Sequence, residues 1–291
     1  GSVTITYTVI QNSCPASQNA TVTVNNCACP NPATVNITPT SASVCGTIPQ
    51  TYTITLGGGA TSANITENGV GSVSPTFLNA NGNVTYTPAA GDFGNTVTLT
   101  VTTNDPDGSG TNCTVATATA TLVVNALPVV GAVSPANPSL CPGTTITLTS
   151  SPSGGVWSSN NTSICTVNST GVVSGIASGT ATITYTVTNA QGCSNMQSTT
   201  VTVYSLTPIA PITGASSICQ GTTTTLSSTT TGGIWSSSNS SVATVNNSSG
   251  LVSGVSNGTA TISYTVTNAN GCVQSVIKDI TILSLPTANI S

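Results

Sequence analysis

The residues of this chain that could do chemistry are ten cysteines, one close pair of carboxylates and two tryptophans. Cysteines form disulfides or bind zinc, and carboxylates bind calcium or act as acids and bases. The chain has no histidine, the commonest general base, and its only basic residue is a single lysine. One cation cannot neutralise a row of phosphates, which excludes nucleic acid as a partner. We therefore expect no enzymatic activity and no cofactor.

The elements that must position these residues are indicated by composition. Only 2% of the residues are charged, whereas a typical globular domain has about a quarter. The polar remainder is mostly threonine, serine, asparagine and glycine, which favour strands and turns. Residues that build helices are scarce, and no apolar run reaches the roughly 18 residues of a membrane span. The sequence predicts an all-β protein with no membrane span in this segment.

A long internal repeat organises the second half of the chain. Cys141, Trp157 and Cys193 recur 78 or 79 residues later as Cys219, Trp235 and Cys272, with one extra residue near positions 246–247. A period near 80 suits a small domain rather than a solenoid unit. Apolar and hydroxyl side chains alternate along a late strand of both copies, which is typical of an antiparallel sandwich. The apolar positions are Ala181, Ile183, Tyr185 and Val187 in one copy and Ala260, Ile262, Tyr264 and Val266 in the other.

These patterns predict an all-β chain of tandem β-sandwich domains in an extended rod. Residues 1–28 match only the C-terminal half of the repeat, residues 29–126 form a different sandwich, and residues 127–205 and 206–284 are the two full copies. Residues 285–291 begin a further unit, so we expect a segment of something longer.

The repeat resembles a known family. GGIWSSSNSSVATVNNSSGLVSGVSNGTATISYTV, which begins at Gly232, and its partner from Gly154 are similar to the bacterial Ig-like domain of group 2. Residues 29–126, with VTYTPAAGDFGNTVTLTVTTNDPDGSGTNC, resemble PKD-like or cadherin-like sandwich repeats. Such repeats occur in giant surface adhesins of Bacteroidetes-type bacteria, including gliding-motility adhesins. The resemblance implies tandem immunoglobulin-like β-sandwich domains. It also implies an exported stalk or adhesin at the bacterial cell surface, secreted by the type IX route.

The spacing of the cysteines favours disulfides over zinc. Zinc sites usually need paired C-x₂₋₄-C knuckles, and the spacing of Cys27 and Cys29 is too tight. One cysteine near each end of every repeat predicts one bond per domain, which agrees with an oxidising, extracellular compartment. The predicted bonds are Cys45–Cys113, Cys141–Cys193 and Cys219–Cys272.

Four cysteines have no assigned partner. Cys14 takes the place of Cys193, so its partner should lie upstream. Cys27 and Cys29 could pair with each other, although so short a loop would be strained. Cys165 replaces Ala243 of the sister repeat, which predicts a buried free thiol.

The carboxylates and tryptophans allow two interpretations each. Asp105 and Asp107 could begin a calcium site, but Asp-Pro-Asp-Gly is also an ordinary turn, and we favour the turn. Trp157 and Trp235 could stack on sugars, but one tryptophan per repeat is more typical of a sandwich core.

A structural role follows from these features. We expect a stalk or filament segment that spaces a distal binding region from the cell, with neighbouring repeats of the same long chain as partners. Strand edges without guarding charges allow lateral self-association into fibres. The alternative is a carbohydrate- or surface-binding module, in which the repeats themselves grip a surface polysaccharide.

Overall fold

The structure is a computed structural model that describes residues 2–11, 14–23, 29–107 and 113–285. Within these ranges the chain forms 25 β-strands and one short 3-10 helix, which confirms the all-β prediction. By contacts it divides into two compact units. Unit 1 comprises residues 1–128 and 189–193, and unit 2 comprises residues 129–188 and 194–291.

Unit 1 begins with a hairpin. Its strands are β1 (Ser2–Gln11) and β2 (Cys14–Thr23), paired so that Tyr7 lies opposite Gln18. Ile5, Tyr7 and Val9 are 55%, 71% and 46% exposed, so this apolar face packs on no core among the described residues.

The rest of unit 1 is a two-sheet sandwich. One sheet has the order β3-β5-β9-β7 and the other β4-β11-β10-β6-β8, and one core of buried Ile, Val, Leu, Ala and Tyr side chains lies between them. The helix is Ala90–Asp92, and the strands are β3 (Thr34–Thr38), β4 (Ser41–Cys45), β5 (Gln50–Gly57), β6 (Ala63–Glu67), β7 (Ser72–Ser74), β8 (Phe77–Leu78), β9 (Gly82–Thr87), β10 (Thr96–Thr103) and β11 (Thr117–Asn125).

A buried carboxylate stabilises this sandwich. Asp92 is 2% exposed and accepts hydrogen bonds from the backbone N–H groups of Val70 (2.8 Å) and Ala89 (2.9 Å) and from the Tyr86 hydroxyl (2.8 Å). Burial acts to raise the pKa of Asp92, but these donors stabilise the charged form and hold the pKa below its ordinary value. Burial and the bond to Asp92 raise the pKa of Tyr86 to about 12.

Unit 2 contains two further sandwiches of identical topology. Each pairs a four-stranded with a three-stranded sheet, in the orders β12-β18-β17-β14 with β13-β16-β15 and β19-β25-β24-β21 with β20-β23-β22. The first has β12 (Ser139–Leu140), β13 (Thr145–Thr147), β14 (Val156–Ser159), β15 (Cys165–Val167), β16 (Val172–Gly175), β17 (Gly179–Thr188) and β18 (Ser194–Val203). The second has β19 (Ser217–Cys219), β20 (Thr223–Thr225), β21 (Ile234–Ser237), β22 (Ala243–Val245), β23 (Leu251–Gly254), β24 (Gly258–Thr267) and β25 (Val273–Leu283).

The alternating strands are β17 and β24. In both, the alanine, isoleucine, tyrosine and valine of the pattern are buried, while the threonines and serine between them are half-buried or exposed. Tyr185 lies opposite Gln197 in the β17–β18 hairpin. In the same way, Tyr7 lies opposite Gln18 in the N-terminal hairpin. The hairpin of residues 2–23 therefore has the register of the last two strands of a repeat.

The inserted residue of the last repeat lies in the turn before β23. The matching turns end at Gly171 and Gly250, both with positive φ (82° and 71°), where an added Cβ would lie 2.4 Å and 2.3 Å from a backbone oxygen. Glycine is required at both positions, because other residues strain at this φ and would also clash. The longer turn places the Asn247 carbonyl where it accepts a hydrogen bond from the Trp235 N–H (2.9 Å).

Candidate functional site: disulfide-linked turns

Three disulfides lie among the described residues, and none of them is a predicted bond. They are Cys29–Cys113, Cys45–Cys193 and Cys141–Cys272, with Cα–Cα distances of 4.9, 5.5 and 5.5 Å. The predicted bonds Cys45–Cys113, Cys141–Cys193 and Cys219–Cys272 are therefore corrected, as is the option of a Cys27–Cys29 bond. Two of the three bonds join a cysteine of one repeat to a cysteine of the next repeat in the sequence.

The physical reason is where each cysteine lies along the last strand of its sandwich. Leu140, next to Cys141, pairs with Val203 at the end of β18, whereas Cys193 directly precedes the start of β18. Ten strand residues span about 33 Å. A disulfide requires Cα atoms no more than about 7 Å apart. The two cysteines of one repeat therefore lie at opposite ends of a strand and cannot bond.

The other sandwiches repeat this placement. Cys45 pairs with Asn125 at the end of β11, and Cys219 pairs with Leu283 at the end of β25. We call Cys45, Cys141 and Cys219 the exit cysteines, because each lies where the chain leaves its sandwich. We call Cys113, Cys193 and Cys272 the turn cysteines, because each lies in the segment that leads into the last strand of its sandwich.

At two of the turn cysteines, Cys193 and Cys272, an asparagine side chain stabilises the turn. In unit 1, the Asn189 side-chain oxygen accepts the N–H groups of Gln191 (3.1 Å) and Cys193 (3.0 Å). Its side-chain nitrogen donates to the Ala126 carbonyl (2.9 Å), in the segment that leads from β11 into the next repeat. The turn is thus held both by a disulfide to Cys45 and by a hydrogen bond to the linker.

Unit 2 contains the same arrangement. The Asn268 side chain accepts from Asn270 (3.0 Å) and Cys272 (2.9 Å) and donates to the Ser205 carbonyl (2.8 Å). The sequence Asn-Ala-x-Gly-Cys occurs at both turns and indicates a turn, but its contact with the preceding linker was not predicted. The one sequence signal that could have indicated this contact is that the motif ends in the turn cysteine at both places.

The third turn cysteine, Cys113, has a different partner and different supporting groups. It bonds to Cys29, which precedes the first strand of the same sandwich. The Cys113 N–H donates to the Asp107 carboxylate (3.1 Å), and the Asp107 N–H donates to the Asp105 carboxylate (3.3 Å). A hydrogen bond with the Asp107 side chain is the main cause that raises the pKa of Asp105.

These contacts agree with the turn interpretation of Asp105 and Asp107. Their oxygens accept backbone N–H groups, as turn-forming aspartates do. Among the described residues no group of three or more histidine, cysteine, aspartate or glutamate side chains lies together in a way that could hold a metal ion.

Two free cysteines differ sharply in exposure. Cys165 is fully buried in the core, as the sequence predicts, and Cys219 is exposed. Burial raises the pKa of the Cys165 thiol, which a hydrogen bond with Ser159 only partly offsets. Cys165 is therefore protonated and unreactive at neutral pH, whereas Cys219 is accessible. Cys27 and the side chain of Cys14 lie outside the described residues.

The tryptophans pair with the tyrosines of the alternating strands. Trp157 and Tyr185 have ring centroids 4.5 Å apart, and Trp235 and Tyr264 have theirs 4.6 Å apart. Trp235 is 5% exposed and belongs to its core, while Trp157 is half-buried against its own. Open grooves of about 330 Å³ and 260 Å³ lie beside Trp235 and Trp157, lined largely by serine, threonine and glycine.

The tyrosine hydroxyls beside these grooves are already engaged. Tyr264 donates to the Thr230 carbonyl (2.7 Å) and accepts from the Gly233 N–H (2.8 Å). Tyr185 makes the equivalent bonds to Pro152 and Gly155, both at 2.7 Å. Each tyrosine thereby fixes the glycine turn that precedes the tryptophan strand, and its hydroxyl is committed to the protein itself.

Comparison with known families identifies the repeated part of the chain. Residues 131–195 and 198–276 match the family model of the bacterial Ig-like domain (group 2). The chain thus carries tandem Ig-like repeats, in agreement with the resemblance noted in the sequence. No helix within the described residues is long and apolar enough to cross a membrane.

One curated relative and several solved structures are similar to the chain. Ice-binding protein 1 of Shewanella frigidimarina is 37% identical over 153 residues, covering 45% of this chain, which spans only 17% of that protein. Mouse cadherin-23 domains EC22–24 are 12% identical, with a TM-score of 0.26, covering 88% of this chain and 100% of that one. Domains 4 and 5 of the S-layer protein SbsC are 20% identical, with a TM-score of 0.20, covering 48% and 82%.

Proposed function

Because the chain carries tandem bacterial Ig-like repeats, we propose that it is a load-bearing stalk segment of a bacterial cell-surface adhesin. The coarser statement, an extracellular repeat protein, is supported by the Ig-like repeats, by the similarity to part of Ice-binding protein 1 and by three disulfides, which form in oxidising compartments. The stalk would space a distal binding region from the cell, as giant surface adhesins with such repeats do.

The observation that carries the proposal is the linkage of exit cysteines to turn cysteines of the next repeat. Between β11 and the following repeat the backbone runs through a short linker that includes Ala126. The Cys45–Cys193 bond provides a second covalent path around this linker, and Asn189 adds a hydrogen bond to it. Cys141–Cys272 and Asn268 repeat the arrangement one period later. A tensile load would therefore be shared between backbone and sulfur.

Single-molecule stretching tests this role. With the three bonds intact, the shortest covalent path from residue 2 to residue 285 runs through Cys29–Cys113 and Cys141–Cys272 and contains about 70 residues, against about 280 without the bonds. We expect reduction with dithiothreitol to lengthen the fully stretched chain about fourfold, at the same force. The matched control is the Cys165→Ser variant, which should behave like the parent protein.

A stretched length that does not change on reduction would overturn the load-bearing role. So would an oxidised chain that yields at the same low force as the reduced chain, because the sulfur path would then carry nothing.

The alternative, a module that grips polysaccharide through its repeats, is less well supported by the same geometry. The Trp235 ring is 5% exposed, so its face is not open for stacking on a sugar. The hydroxyl of Tyr264 is bound on both sides by its own chain. Titration of the full chain with soluble glucans and chitin oligosaccharides, followed by tryptophan fluorescence, should show no saturable change.

A further inference from the structure

We propose that Cys219 is the attachment site for the turn cysteine of a further Ig-like repeat, which presents it in an Asn-Ala-x-Gly-Cys turn. The inference goes beyond the load-bearing role and does not depend on it. It concerns which surface of the last sandwich binds the next module, and by what chemistry.

The first argument is positional equivalence with two cysteines that are bonded. Cys219 pairs with Leu283 at the end of β25, as Cys45 pairs with Asn125 at the end of β11. Gln220, the residue after Cys219, donates its N–H to Leu283 (2.9 Å), as Gly46, the residue after Cys45, donates its N–H to Asn125 (2.8 Å). The backbone thus holds Cys219 as it holds a cysteine that has a partner.

The second argument is exposure. The turn cysteines Cys113, Cys193 and Cys272 are all bonded and at most 5% exposed. The bonded exit cysteines Cys45 and Cys141 are half-buried, whereas Cys219 is exposed and free. Within the described residues Cys219 is the one exit cysteine without a turn against it.

The third argument comes from the chain segment that follows β25. Ser284-Leu285 corresponds to Ala126-Leu127 and to Ser205-Leu206 in the sequence. Ala126 and Ser205 offer their carbonyls to the turn asparagines, and Leu127 packs against Gly46, next to Cys45. Leu285 is 62% exposed beside the end of the last described strand. The end of β25 therefore has the thiol of Cys219, the linker residue Ser284 and the apolar side chain of Leu285, the same three features that occur at the end of β11.

The reaction is a thiol–disulfide exchange. The thiols of Cys219 and of the incoming turn cysteine lose two protons and two electrons and form one S–S bond. A low-molecular-weight disulfide such as oxidised glutathione is the oxidant, and its S–S bond is reduced to two thiols.

The test inserts a further repeat into the full chain. A second copy of residues 127–205 is placed after Ser284, so that its turn carries a copy of Cys193. The protein is folded with reduced and oxidised glutathione, alkylated with N-ethylmaleimide without denaturant, digested with thermolysin and analysed by mass spectrometry. We expect a peptide that joins Cys219 to the Cys193 sequence, loss of alkylation at Cys219, and new alkylation at the inserted copy of Cys141.

A matched variant carries Cys193→Ser in the inserted copy only. Alkylation should return to Cys219, because the attachment site has again lost its partner. Tryptophan fluorescence measures whether the inserted repeat is folded. If it is unfolded, a copy of residues 206–284 is inserted at the same place and the test is repeated with this sister repeat. Alkylation of Cys219 beside a folded insert, or a bond between Cys219 and any other cysteine, would overturn the proposal.

Discussion

The Cys141–Cys272 bond makes a prediction that separates two ways of connecting the repeats. It closes a loop of 131 residues, which the chain entropy of loop closure converts to about 5 kcal/mol of stabilisation. The double variant Cys141→Ala/Cys272→Ala should lose up to this amount in urea unfolding. A Cys141–Cys193 bond would close a loop of about 50 residues and contribute about 4 kcal/mol. The two values are too close for stability alone to distinguish the connections.

Cleavage at Met196 distinguishes them without ambiguity. This residue is the only methionine of the chain, is 61% exposed and lies in β18, between Cys193 and Cys219. Cyanogen bromide cuts after it and yields residues 1–196 and 197–291. Because Cys141–Cys272 spans the cut, the two fragments should stay joined on a non-reducing gel and separate only after reduction.

Two controls make the result specific. Cys219→Ser should leave the fragments joined, since Cys219 forms no disulfide within the described part of the chain. Cys141→Ala/Cys272→Ala should release them without reductant. If the fragments of the parent protein separate before reduction, the connection between successive repeats is refuted, and with it the argument from strand ends.

Three further predictions concern buried polar groups and thiols. Asp92→Asn should destabilise the first sandwich by about 1–3 kcal/mol by urea unfolding, because it removes a charged acceptor of three hydrogen bonds. The folded pKa of Asp92 lies below its ordinary value of about 3.9, so its contribution to the free energy of unfolding is present above that pH and should be lost as the pH falls through the folded pKa. The Asp92→Asn variant should lack this pH dependence, and equal pH profiles of parent and variant would contradict the assignment. Tyr86→Phe should cost about 1–3 kcal/mol, whereas Tyr52→Phe should cost nothing, because its buried hydroxyl has no partner among the described residues; an equal loss in both would contradict this contrast. In the native protein N-ethylmaleimide should label Cys219 at once and Cys165 only on unfolding, as followed by mass spectrometry of peptides. The reverse order of labelling would contradict the burial assigned to the two thiols.

Most of the fold could be predicted from local patterns. The alternation around Tyr185 and Tyr264 indicates one buried and one exposed face, and in the structure both tyrosines are at most 5% exposed. The 78-residue period indicates whole domains, and the structure gives the two copies the same strand order. Both features are local because side-chain alternation and turn residues act within one strand or one loop.

The disulfide pairing could not be obtained by counting cysteines per repeat. It depends on the parallel pairing of a short first strand with the last strand, as in β12 with β18, which places Cys141 at the far end of its own sandwich. That pairing joins residues about 60 apart and leaves no local pattern. Once β18 is known to span ten extended residues, Cys193 at its start lies too far from Val203 at its end, and therefore from Cys141, for a Cys141–Cys193 bond.

The offset between exit and turn cysteines also bears on how such arrays change length during evolution. Each repeat of the 78-residue type brings one cysteine that reaches forward and one that reaches back. Unequal recombination that adds or removes a whole repeat therefore leaves the number of unmatched thiols inside the array unchanged, and the gene can lengthen or shorten by whole repeats without creating an unpaired cysteine. A change of half a unit would break this parity, which favours gain and loss in whole multiples of the period.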